Sequence, residues 1–545
     1  MPFTRRGFIR TLIGGSVALT AAATSPLWLP GRPRRFNIPG RIVDNSDVVG
    51  HHMRRLFSWQ DFKKTGMHYD VVVIGGGISG LAACWKLQKS GVQNILLLEL
   101  DHQIGGTSQS GHGNGTGFPW AAHYINIPPR EADCIHELLQ DIGIITGYDA
   151  EGIPIIPEEH YLKEKEERIF MPDGCWEDEL YPFVSDHVVY KAFKADMIRW
   201  QNYVGRDGKR AFAMPSAYST TDPEVRELDS ISIREYMRRQ GWNSPELDWY
   251  MNYACRDDYG STIDTVSAWA GIHYWACRFY FQSGDYPADA LTWPEGNGFL
   301  VKKMASLLDI NILTRCPVMR IEQENDRVNV GYADISTGEY KSVSCRKVVY
   351  AAKLLTAPHT VVGLPEDQKQ AIGEIIYPSW LIANIHVSEV PEDAAWDNVI
   401  LNSPGLGYVV ATHNQGRKGP SVLTYYLPFP EHELKSRWNL LVNDHSHWVD
   451  FIMTDLTQAH PGLEKTVQKI DMYRWGHAMI RPSPGAIFGR NALIRGRSFG
   501  PIHFASADVT GLPLFEEAVF AGVHAAERSM IQIGASFKTS LNGIS

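Results

Sequence analysis

The pattern of apolar and polar positions predicts alternating strands and helices early in the chain. Residues 69–74 (YDVVVI) are rich in apolar and β-branched side chains, as is typical of a strand buried on both faces of a parallel sheet. Residues 78–90 predict a helix that ends at Gly91, and residues 94–98 predict a second strand. This strand–helix–strand unit indicates an α/β fold.

Later segments predict a second, α+β region. Residues 246–280 are dense in tyrosine and tryptophan and leave two interpretations open: a buried helix pair whose rings fill the core, or the wall of a substrate tunnel. Periodicity predicts helices over residues 130–143, 186–204 and 232–240, and strands over residues 377–387 and 422–427.

Length and composition fit a globular protein with two interleaved domains. The chain has 545 residues, 44% of them hydrophobic and 21% charged. Its formal net charge of −9 argues against nucleic acid as a general partner. Beyond the N-terminal segment no apolar stretch is long enough to span a bilayer, so we expect no stable membrane span. The seven cysteines are scattered without a C-x-x-C pair, and no ligand spacing indicates a metal.

A glycine fingerprint follows the first predicted strand. Gly75, Gly77 and Gly80 form the pattern G-x-G-x-x-G, which permits a tight turn, lets the backbone approach a pyrophosphate and allows close packing of helix on strand. The helix that follows directs its free N–H groups at the phosphates. Glu99 ends the second strand, where a carboxylate accepts hydrogen bonds from the ribose hydroxyls and repels a 2′-phosphate. The sequence therefore predicts a dinucleotide other than NADP.

The N-terminus matches a twin-arginine export signal. Residues 4–10 (TRRGFIR) fit the pattern S/T-R-R-x-F-L-K, and residues 11–24 are moderately apolar but too short for a good membrane span. Residues 21–23 (AAA) offer a cleavage site. We expect the twin-arginine translocation machinery to be a partner and the folded protein to reach the periplasm.

Further segments resemble a known family. Residues 103–110 (QIGGTSQS) resemble the R-x-G-G-R-x-x-S/T element of the flavin-containing amine oxidase superfamily, and residues 504–508 (FASAD) resemble its F-A-G-E strand end. Residues 293–318 and 347–352 resemble two segments between them. The resemblance implies FAD, held at two stations by a Rossmann-like FAD-binding domain with an interleaved α+β substrate domain.

The resemblance also assigns cofactor contacts. Val318 would meet the adenine edge, and Asp508 would face the ribityl chain. Leu514 and Phe515 would place N–H groups near the flavin pyrimidine, and the helix beginning near Glu516 would direct its positive end at N1–C2=O. The implied cofactor-binding residues are Gly75, Gly77, Ile78, Ser79, Gly80, Glu99, Gly105, Gly106, Thr107, Ala122, Val318, Asp508, Leu514 and Phe515.

The chain departs from the family pattern at three points. Gln103 and Thr107 replace both arginines of the G-G element, which removes a positive contact to the pyrophosphate. Residues 380–387 (WLIANIHV) contain no lysine, although many amine oxidases carry one on this strand, and the matching position is Ala383 or Asn384. No cysteine follows Cys345, so the C-terminal cysteinyl bond of monoamine oxidases cannot form, and we expect non-covalent FAD.

Three residues are candidates for catalysis. Residues 121–124 (AAHY) match the family segment beside the isoalloxazine, which places His123 near the ring. Trp475 would wall the substrate cavity, and His477 would accept a proton or orient substrate. Asp257 and Asp258 would attract a cationic substrate or cap a helix.

These features predict an FAD-dependent oxidoreductase that transfers hydride from a small-molecule substrate to flavin N5, with oxygen or another electron acceptor reoxidising the flavin. The alternatives are a desaturase or isomerase acting on a hydrophobic substrate, and a non-catalytic flavin-binding protein. The expected segments are a signal (1–25), a linker (26–66), three FAD-binding parts (67–135, 291–365 and 473–535), two substrate-domain parts (136–290 and 366–472) and a tail (536–545).

Overall fold

The computed structural model describes residues 35–43, 47–183, 187–278, 290–416, 419–431 and 433–543. The predicted signal and Tyr280 of the aromatic segment lie outside these residues. The strands are β1 (Gly40–Val43), β2 (Lys63–Ile74), β3 (Ile95–Leu98), β4 (Ser110–Gly113), β5 (Thr116–Pro119), β6 (Tyr124–Asn126), β7 (Gly147–Tyr148), β8 (Pro154–Ile155), β9 (Glu167–Phe170), β10 (Trp176–Glu177), β11 (Ala290–Thr292), β12 (Asn311–Leu313), β13 (Val318–Glu324), β14 (Arg327–Asp334), β15 (Glu339–Tyr350), β16 (Ser379–Val387), β17 (Asp397–Ile400), β18 (Tyr408–Val410), β19 (Ser421–Phe429), β20 (Val467–Trp475) and β21 (Ile502–Phe504).

The helices lie mainly in the middle and at the end of the chain. They are α1 (Asp47–His52), α2 (Ile78–Lys89), α3 (Asp133–Asp141), α4 (His187–Gln201), α5 (Pro223–Glu227), α6 (Ile233–Arg239), α7 (Pro245–Tyr259), α8 (Ala268–Ala276), α9 (Gly298–Ser306), α10 (Ala357–Thr360), α11 (Glu366–Gly373), α12 (Glu433–Val442), α13 (His445–Ala459), α14 (Arg490–Arg495), α15 (Ala507–Thr510) and α16 (Phe515–Ile533).

A seven-stranded sheet contains the predicted strand–helix–strand unit. Its order is β12-β3-β2-β15-β14-β13, and β21 pairs with the C-terminal part of β15. β2 runs parallel to β3 and to β15, in a register that places Ile74 opposite Leu98 and Tyr350. The carboxyl ends of these strands therefore meet at one edge, where open α/β sheets bind ligands. The α/β, Rossmann-like prediction is confirmed, and the predicted strand 69–74 is the buried end of a longer β2.

Helices α2 and α16 join the two ends of the chain in one core. They pack against each other and against β2 and β15, so that Leu81, Val519 and Val523 belong to the same buried cluster as Val73 and Val349. This contact brings the first predicted cofactor station beside the second. It is the packing that a single extended cofactor requires.

An eight-stranded sheet forms the other layer, in the order β1-β20-β16-β19-β18-β17-β9-β10. All nine residues of β16 are buried, because α13 covers one face of the sheet and the helices α7 and α8 cover the other. Alternate side chains therefore face opposite layers: Leu381 belongs to the buried cluster that includes Trp448 of α13, whereas Ile382 belongs to the cluster that includes Trp269 of α8. The α+β prediction for this region is confirmed.

The aromatic segment fills a core. Tyr250, Tyr253, Tyr259, Trp269 and Trp275 are all buried, and they belong to the cluster between the helices and the eight-stranded sheet. None of these five lines the large cavity described below. Of the two interpretations, the buried helix pair is right, because the rings point into the helix–sheet interface.

The sheets differ from the predicted segments in two places. Residues 40–43 of the predicted linker form β1, which pairs in parallel with β20 at the edge of the eight-stranded sheet. Residues 473–475, placed in the third FAD-binding part, are instead the end of β20 in that sheet. Both differences arise from pairing across the chain, which a local pattern does not reveal. The other segment boundaries stay predictions.

Of the helices within the described ranges, none combines the length and the hydropathy needed to cross a bilayer. Over the same ranges, no three His, Cys, Asp or Glu side chains come together in a way that could hold a metal ion.

Candidate active site

A cavity of about 710 Å³ lies between the two sheets. It begins at the carboxyl edge of the seven-stranded sheet and extends along β16, β19 and β20 of the other sheet. All the residues predicted to bind cofactor or to act in catalysis line it, except Gly80. They are Gly75, Gly77, Ile78, Ser79, Glu99, Gly105, Gly106, Thr107, Ala122, His123, Val318, Trp475, His477, Asp508, Leu514 and Phe515.

The fingerprint glycines form a turn that side chains cannot occupy. Gly75 has φ +100°, and a Cβ there would lie 2.9 Å from the backbone of Ala351 and Ala352 at the end of β15. A Cβ on Gly80 would lie 1.9 Å from the carbonyl oxygen of Gly75, which explains why this glycine supports the turn without lining the cavity. The N-terminus of α2 therefore opens onto the cavity with its N–H groups exposed to an anion.

The G-G element lies directly against this turn. Gly105 and Gly106 have φ +122° and +57°, and the N–H of Gly105 donates to the carbonyl oxygen of Gly76 at 2.8 Å. Gln103, at the position of the first family arginine, donates from its side-chain amide to Gln109 at 3.1 Å. This polar side chain is therefore bonded to its own loop, and backbone groups of the two glycine turns surround the predicted pyrophosphate position.

Glu99 lies at the end of β3 with both carboxylate oxygens engaged. Oε2 accepts the N–H of Gly76 at 2.6 Å, and Oε1 accepts the N–H of Asp101 at 2.7 Å. Burial raises the pKa of this carboxyl above its usual value, although the backbone N–H donors oppose the shift. Each ionised oxygen retains acceptor capacity, so the fixed side chain can also receive ribose hydroxyls.

Asp508 anchors the far end of the cofactor region. Its Oδ2 accepts the N–H of Leu354 at 2.8 Å and the hydroxyl of Tyr377 at 2.7 Å. Lys353, which the sequence reasoning did not select, also lines the cavity, and its Nζ donates to the carbonyl oxygen of Ala478 at 2.7 Å. Burial lowers the pKa of Lys353, and the charge of Asp508 opposes this. The signal that could have identified Lys353 is its position just past β15, at the ligand-binding edge of the sheet.

Three buried acceptor atoms in the cavity lack a donor. Glu516 Oε1, Asn126 Oδ1 and Asn297 Oδ1 are buried, line the cavity and have no hydrogen-bond partner among the described residues. Burial raises the pKa of Glu516 to about 7. Buried polar atoms of this kind require a partner. The pyrimidine edge of a flavin offers one N–H donor, which could satisfy one of these acceptors, and α16 directs its positive end at the cavity, so this part of the cavity fits FAD.

His123 lies in an aromatic chamber beside this region. Its ring centroid is 5.1 Å from that of Tyr124, 5.2 Å from that of Trp396 and 4.9 Å from that of Tyr426. The Tyr426 hydroxyl donates to the carbonyl oxygen of Ala121 at 2.8 Å, which fixes the segment. Burial lowers the pKa of His123 to about 4, so the imidazole is neutral at physiological pH.

Trp475 and His477 lie along a different wall of the cavity. Trp475 stacks on Tyr473 with ring centroids 4.3 Å apart, and its Nε1 donates to the carbonyl oxygen of Trp120 at 2.9 Å. His477 lies beside Tyr377, and burial together with the charges of Arg437 and Lys353 lowers its pKa to about 3. Both residues therefore line the wall of the cavity. The imidazole of His477 is neutral at physiological pH, so it does not act as a protonated acid.

Two aspartates at the end of α7 also reach the cavity. Asp258 pairs with Arg278 at 2.5 Å, and both side chains are almost fully buried. Asp257 forms no ion pair or hydrogen bond with any described residue. Burial and the charges of Asp258 and Asp397 raise its pKa well above the usual value. The C-terminal end of α7 adds negative potential. Of the two aspartates, Asp257 is thus the one whose carboxyl a cationic group could approach and ionise.

Comparison with known proteins agrees with this geometry. A family model described as flavin containing amine oxidoreductase matches residues 78–529. Oxidoreductase PigB of Serratia sp. (strain ATCC 39006) is 21% identical over 529 residues, which span 86% of this chain and 76% of PigB.

Solved structures share the fold. A putrescine oxidase bound to putrescine matches with a TM-score of 0.64 and 15% identity, over 86% of this chain and 100% of that one. A fatty acid isomerase from P. acnes that produces CLA matches with a TM-score of 0.60 and 15% identity, over 85% and 98%. The family match spans most of the chain and the cavity fits the cofactor of that family. The protein therefore belongs to the flavin-containing amine oxidoreductases and is an FAD-dependent oxidoreductase.

Proposed function

We propose that the protein oxidises a small molecule by removing hydride from a C–H bond next to nitrogen or carbon. The observation that carries this proposal is the continuity of one cavity from the glycine turns to the aromatic chamber around His123. When bound, FAD would supply the hydride acceptor, N5, and oxygen or another electron acceptor would reoxidise it. The protein positions the substrate and excludes water from the cavity.

The cofactor residues have the roles that their surroundings support. The turns at Gly75 and Gly105 and the first turn of α2 hold the pyrophosphate through backbone N–H groups, and Glu99 accepts the ribose hydroxyls. The first turn of α16, with Leu514 and Phe515, would hold the pyrimidine end of FAD, and the positive end of the helix would favour negative charge there. The cofactor is held without a covalent bond.

Substrate residues act mainly by orientation. A histidine with a pKa of about 4 is a weak base at neutral pH, so His123 positions substrate by hydrogen bonding. The same reasoning assigns His477 to the wall beside Trp475. Asp257 favours a substrate with a positive group, because a cation beside it would stabilise its ionised form.

The test uses the purified full-length protein. We expect a flavin spectrum, loss of the flavin absorbance when one substrate class is added without oxygen, and peroxide or reduced acceptor when the acceptor is restored. A panel of primary amines, diamines and amino acids would be compared with unsaturated fatty acids. A protein that binds FAD but that neither class can bleach would instead be the non-catalytic flavin-binding protein.

A second candidate is isomerisation or desaturation of a hydrophobic substrate. The specific observation in its favour is β16, where Ala383 and Asn384 stand at the position of the family lysine. Asn384 is buried, and its Nδ2 donates to the carbonyl oxygen of Pro119 at 3.0 Å. The fold shared with a fatty acid isomerase is compatible with this chemistry. Product analysis separates the candidates: an isomerase changes double-bond position without net consumption of an acceptor.

We also propose that the twin-arginine segment exports the folded flavoprotein to the periplasm. Cofactor insertion before transport suits this route. Substitution of Arg5 and Arg6 by lysine should retain the protein in the cytoplasm, as measured by cell fractionation. Equal periplasmic yield of this variant and the unaltered protein would contradict the proposal.

A further inference from the structure

Helix α12 presents an apolar face to solvent at the mouth of the cavity. Leu434, Trp438 and Val442 are 70, 64 and 52% exposed. Ser436 and Leu440, on the opposite face, are buried. A spacing of four residues places the three exposed side chains on one side of the helix. Single exposed apolar residues are common, but a contiguous set on one helix face marks an interaction surface.

A second apolar element borders the same opening. Val48 in α1 is 41% exposed, and Leu56, just after that helix, is 98% exposed. His51 and Arg54 between them line the cavity, as does Leu434 on the other side. Helices α1 and α12 therefore border one opening of the cavity. Both contribute large apolar side chains to the border of this opening.

Basic side chains lie among these apolar ones. Arg437 donates to the carbonyl oxygens of Gly476 and Tyr377 at 2.9 and 3.0 Å, which fixes α12 against the end of β20. The whole chain is acidic, with a net charge of −9, whereas the basic residues at this border (Arg54, Arg55, Lys435, Arg437 and Arg474) outnumber the acidic residues of the same segments (Asp47, Glu431 and Glu433). We call the following set the mouth rim: Val48, His51, Arg54, Arg55, Leu56, Leu434, Lys435, Arg437, Trp438, Leu441, Val442 and Arg474.

We propose that the mouth rim docks on the surface of an anionic phospholipid bilayer. Trp438 and its apolar neighbours would enter the boundary between headgroups and acyl chains, where tryptophan is favoured. The exposed side chains of Arg54, Arg55 and Lys435 would contact lipid phosphates. An anionic bilayer matches both features of the mouth rim, because its acyl boundary accepts the apolar side chains and its phosphates attract the basic ones.

Docking in this way has a consequence for the cavity. Its mouth would open toward the bilayer, so that a poorly water-soluble molecule could pass from lipid to the aromatic chamber without crossing bulk water. The inference does not depend on the proposed reaction, because binding to vesicles requires neither substrate nor turnover.

Vesicle co-sedimentation of the full-length flavoprotein tests the proposal. We expect binding to vesicles of phosphatidylcholine mixed with phosphatidylglycerol, and much weaker binding to phosphatidylcholine alone. The double substitution Trp438→Ser and Val442→Ser, at residues that do not line the cavity, should lower the partition coefficient roughly tenfold or more. Lys435→Gln should lower it about fivefold on the anionic vesicles, and added salt should reduce this difference.

A matched control comes from another exposed apolar residue. Ile531 in α16 is 67% exposed and does not line the cavity, so Ile531→Ser should leave vesicle binding unchanged. Flavin content and melting temperature of each variant confirm folding. Absence of binding to anionic vesicles, or equal loss in the Ile531 control, would overturn the proposal. Concentration-dependent dimerisation that the Trp438 substitution abolishes would also overturn it, because a second copy would then cover the face. So would protection of Trp438 from a soluble quencher in the absence of lipid, because residues 1–34 would then cover it.

Discussion

Substitution of Gly522 by alanine probes the packing on which the cofactor region depends. Gly522 lies in α16 where this helix crosses α2. A Cβ there would lie 2.2 Å from the carbonyl oxygen of Ser79 and 3.1 Å from the Cβ of Ala82. Since ordinary carbon–oxygen contact requires more than 3 Å, the two helices must separate by roughly 1 Å. The obstacle is backbone, which cannot rotate away as a side chain can.

The expected size of the effect follows from two opposed contributions. Alanine in place of glycine favours a helix by about 1 kcal/mol. Overpacking of a close helix contact costs about 1–3 kcal/mol. We therefore expect Gly522→Ala to be neutral at best and to lower the free energy of unfolding by up to about 2 kcal/mol. Gly373 in α11 is the matched control, because a Cβ there meets nothing within 4 Å, and Gly373→Ala should stabilise slightly.

Urea unfolding and release of FAD measure the two consequences. Ser79 lines the cavity in the first turn of α2, so a displaced helix should also release FAD faster than the unaltered protein does. The reasoning is refuted if Gly522→Ala is as stable as Gly373→Ala. It is also refuted if an added Ala82→Gly restores stability, because the clash would then lie with a side chain and not with the Ser79 carbonyl.

Three further changes test individual site residues. Glu99→Gln should weaken FAD binding at least tenfold. The amide oxygen can accept the N–H of only one of Gly76 and Asp101, and the NH₂ group then faces the other N–H. An unchanged Kd in a flavin fluorescence titration would contradict this. The folded-state pKa of Glu516 is raised to about 7 from 4.5, so the stability it contributes to flavin-free protein is full below pH 4.5 and lost as the pH rises through 7. Glu516→Gln should flatten that trend in melts between these limits; an identical trend in both proteins would count against it. Asp257→Asn should raise KM for cationic substrates about tenfold and leave neutral ones unaffected, a distinction that steady-state kinetics resolves.

The sequence is most informative where chemistry depends on adjacent residues. The turn at Gly75 and Gly80 and the carboxylate of Glu99 follow from local constraints, because a strand, a tight turn and a helix fix their relative positions within about thirty residues. In the structure Gly75 and Glu99 lie at the carboxyl ends of the parallel strands β2 and β3 and line the cavity; their contacts to a cofactor stay predictions. A second station near Asp508 was predictable only through family resemblance.

Other features depend on distant partners and left no local signal. Glu516 has the sequence context of an ordinary acid in a first helical turn, and only the tertiary structure shows it buried with one carboxylate oxygen, Oε1, lacking a donor. Asp257 and Asp258 are indistinguishable in sequence, yet Arg278 forms an ion pair with Asp258 and acts on Asp257 only through its charge. Strand β1 is four residues long in a segment rich in proline and arginine, too short for a periodic pattern.

The pairing of β1 with β20 constrains how this protein is made. Gly40 lies opposite Ile470, so an edge of the eight-stranded sheet cannot close until synthesis has passed residue 470. During translation the early strand must wait unpaired, and any chain that stops short leaves a hydrogen-bonding edge open to its neighbours. Long-range closure of this kind is slow compared with local helix formation. Nascent chains should therefore depend on holding chaperones, and premature termination should give aggregates instead of a smaller working enzyme.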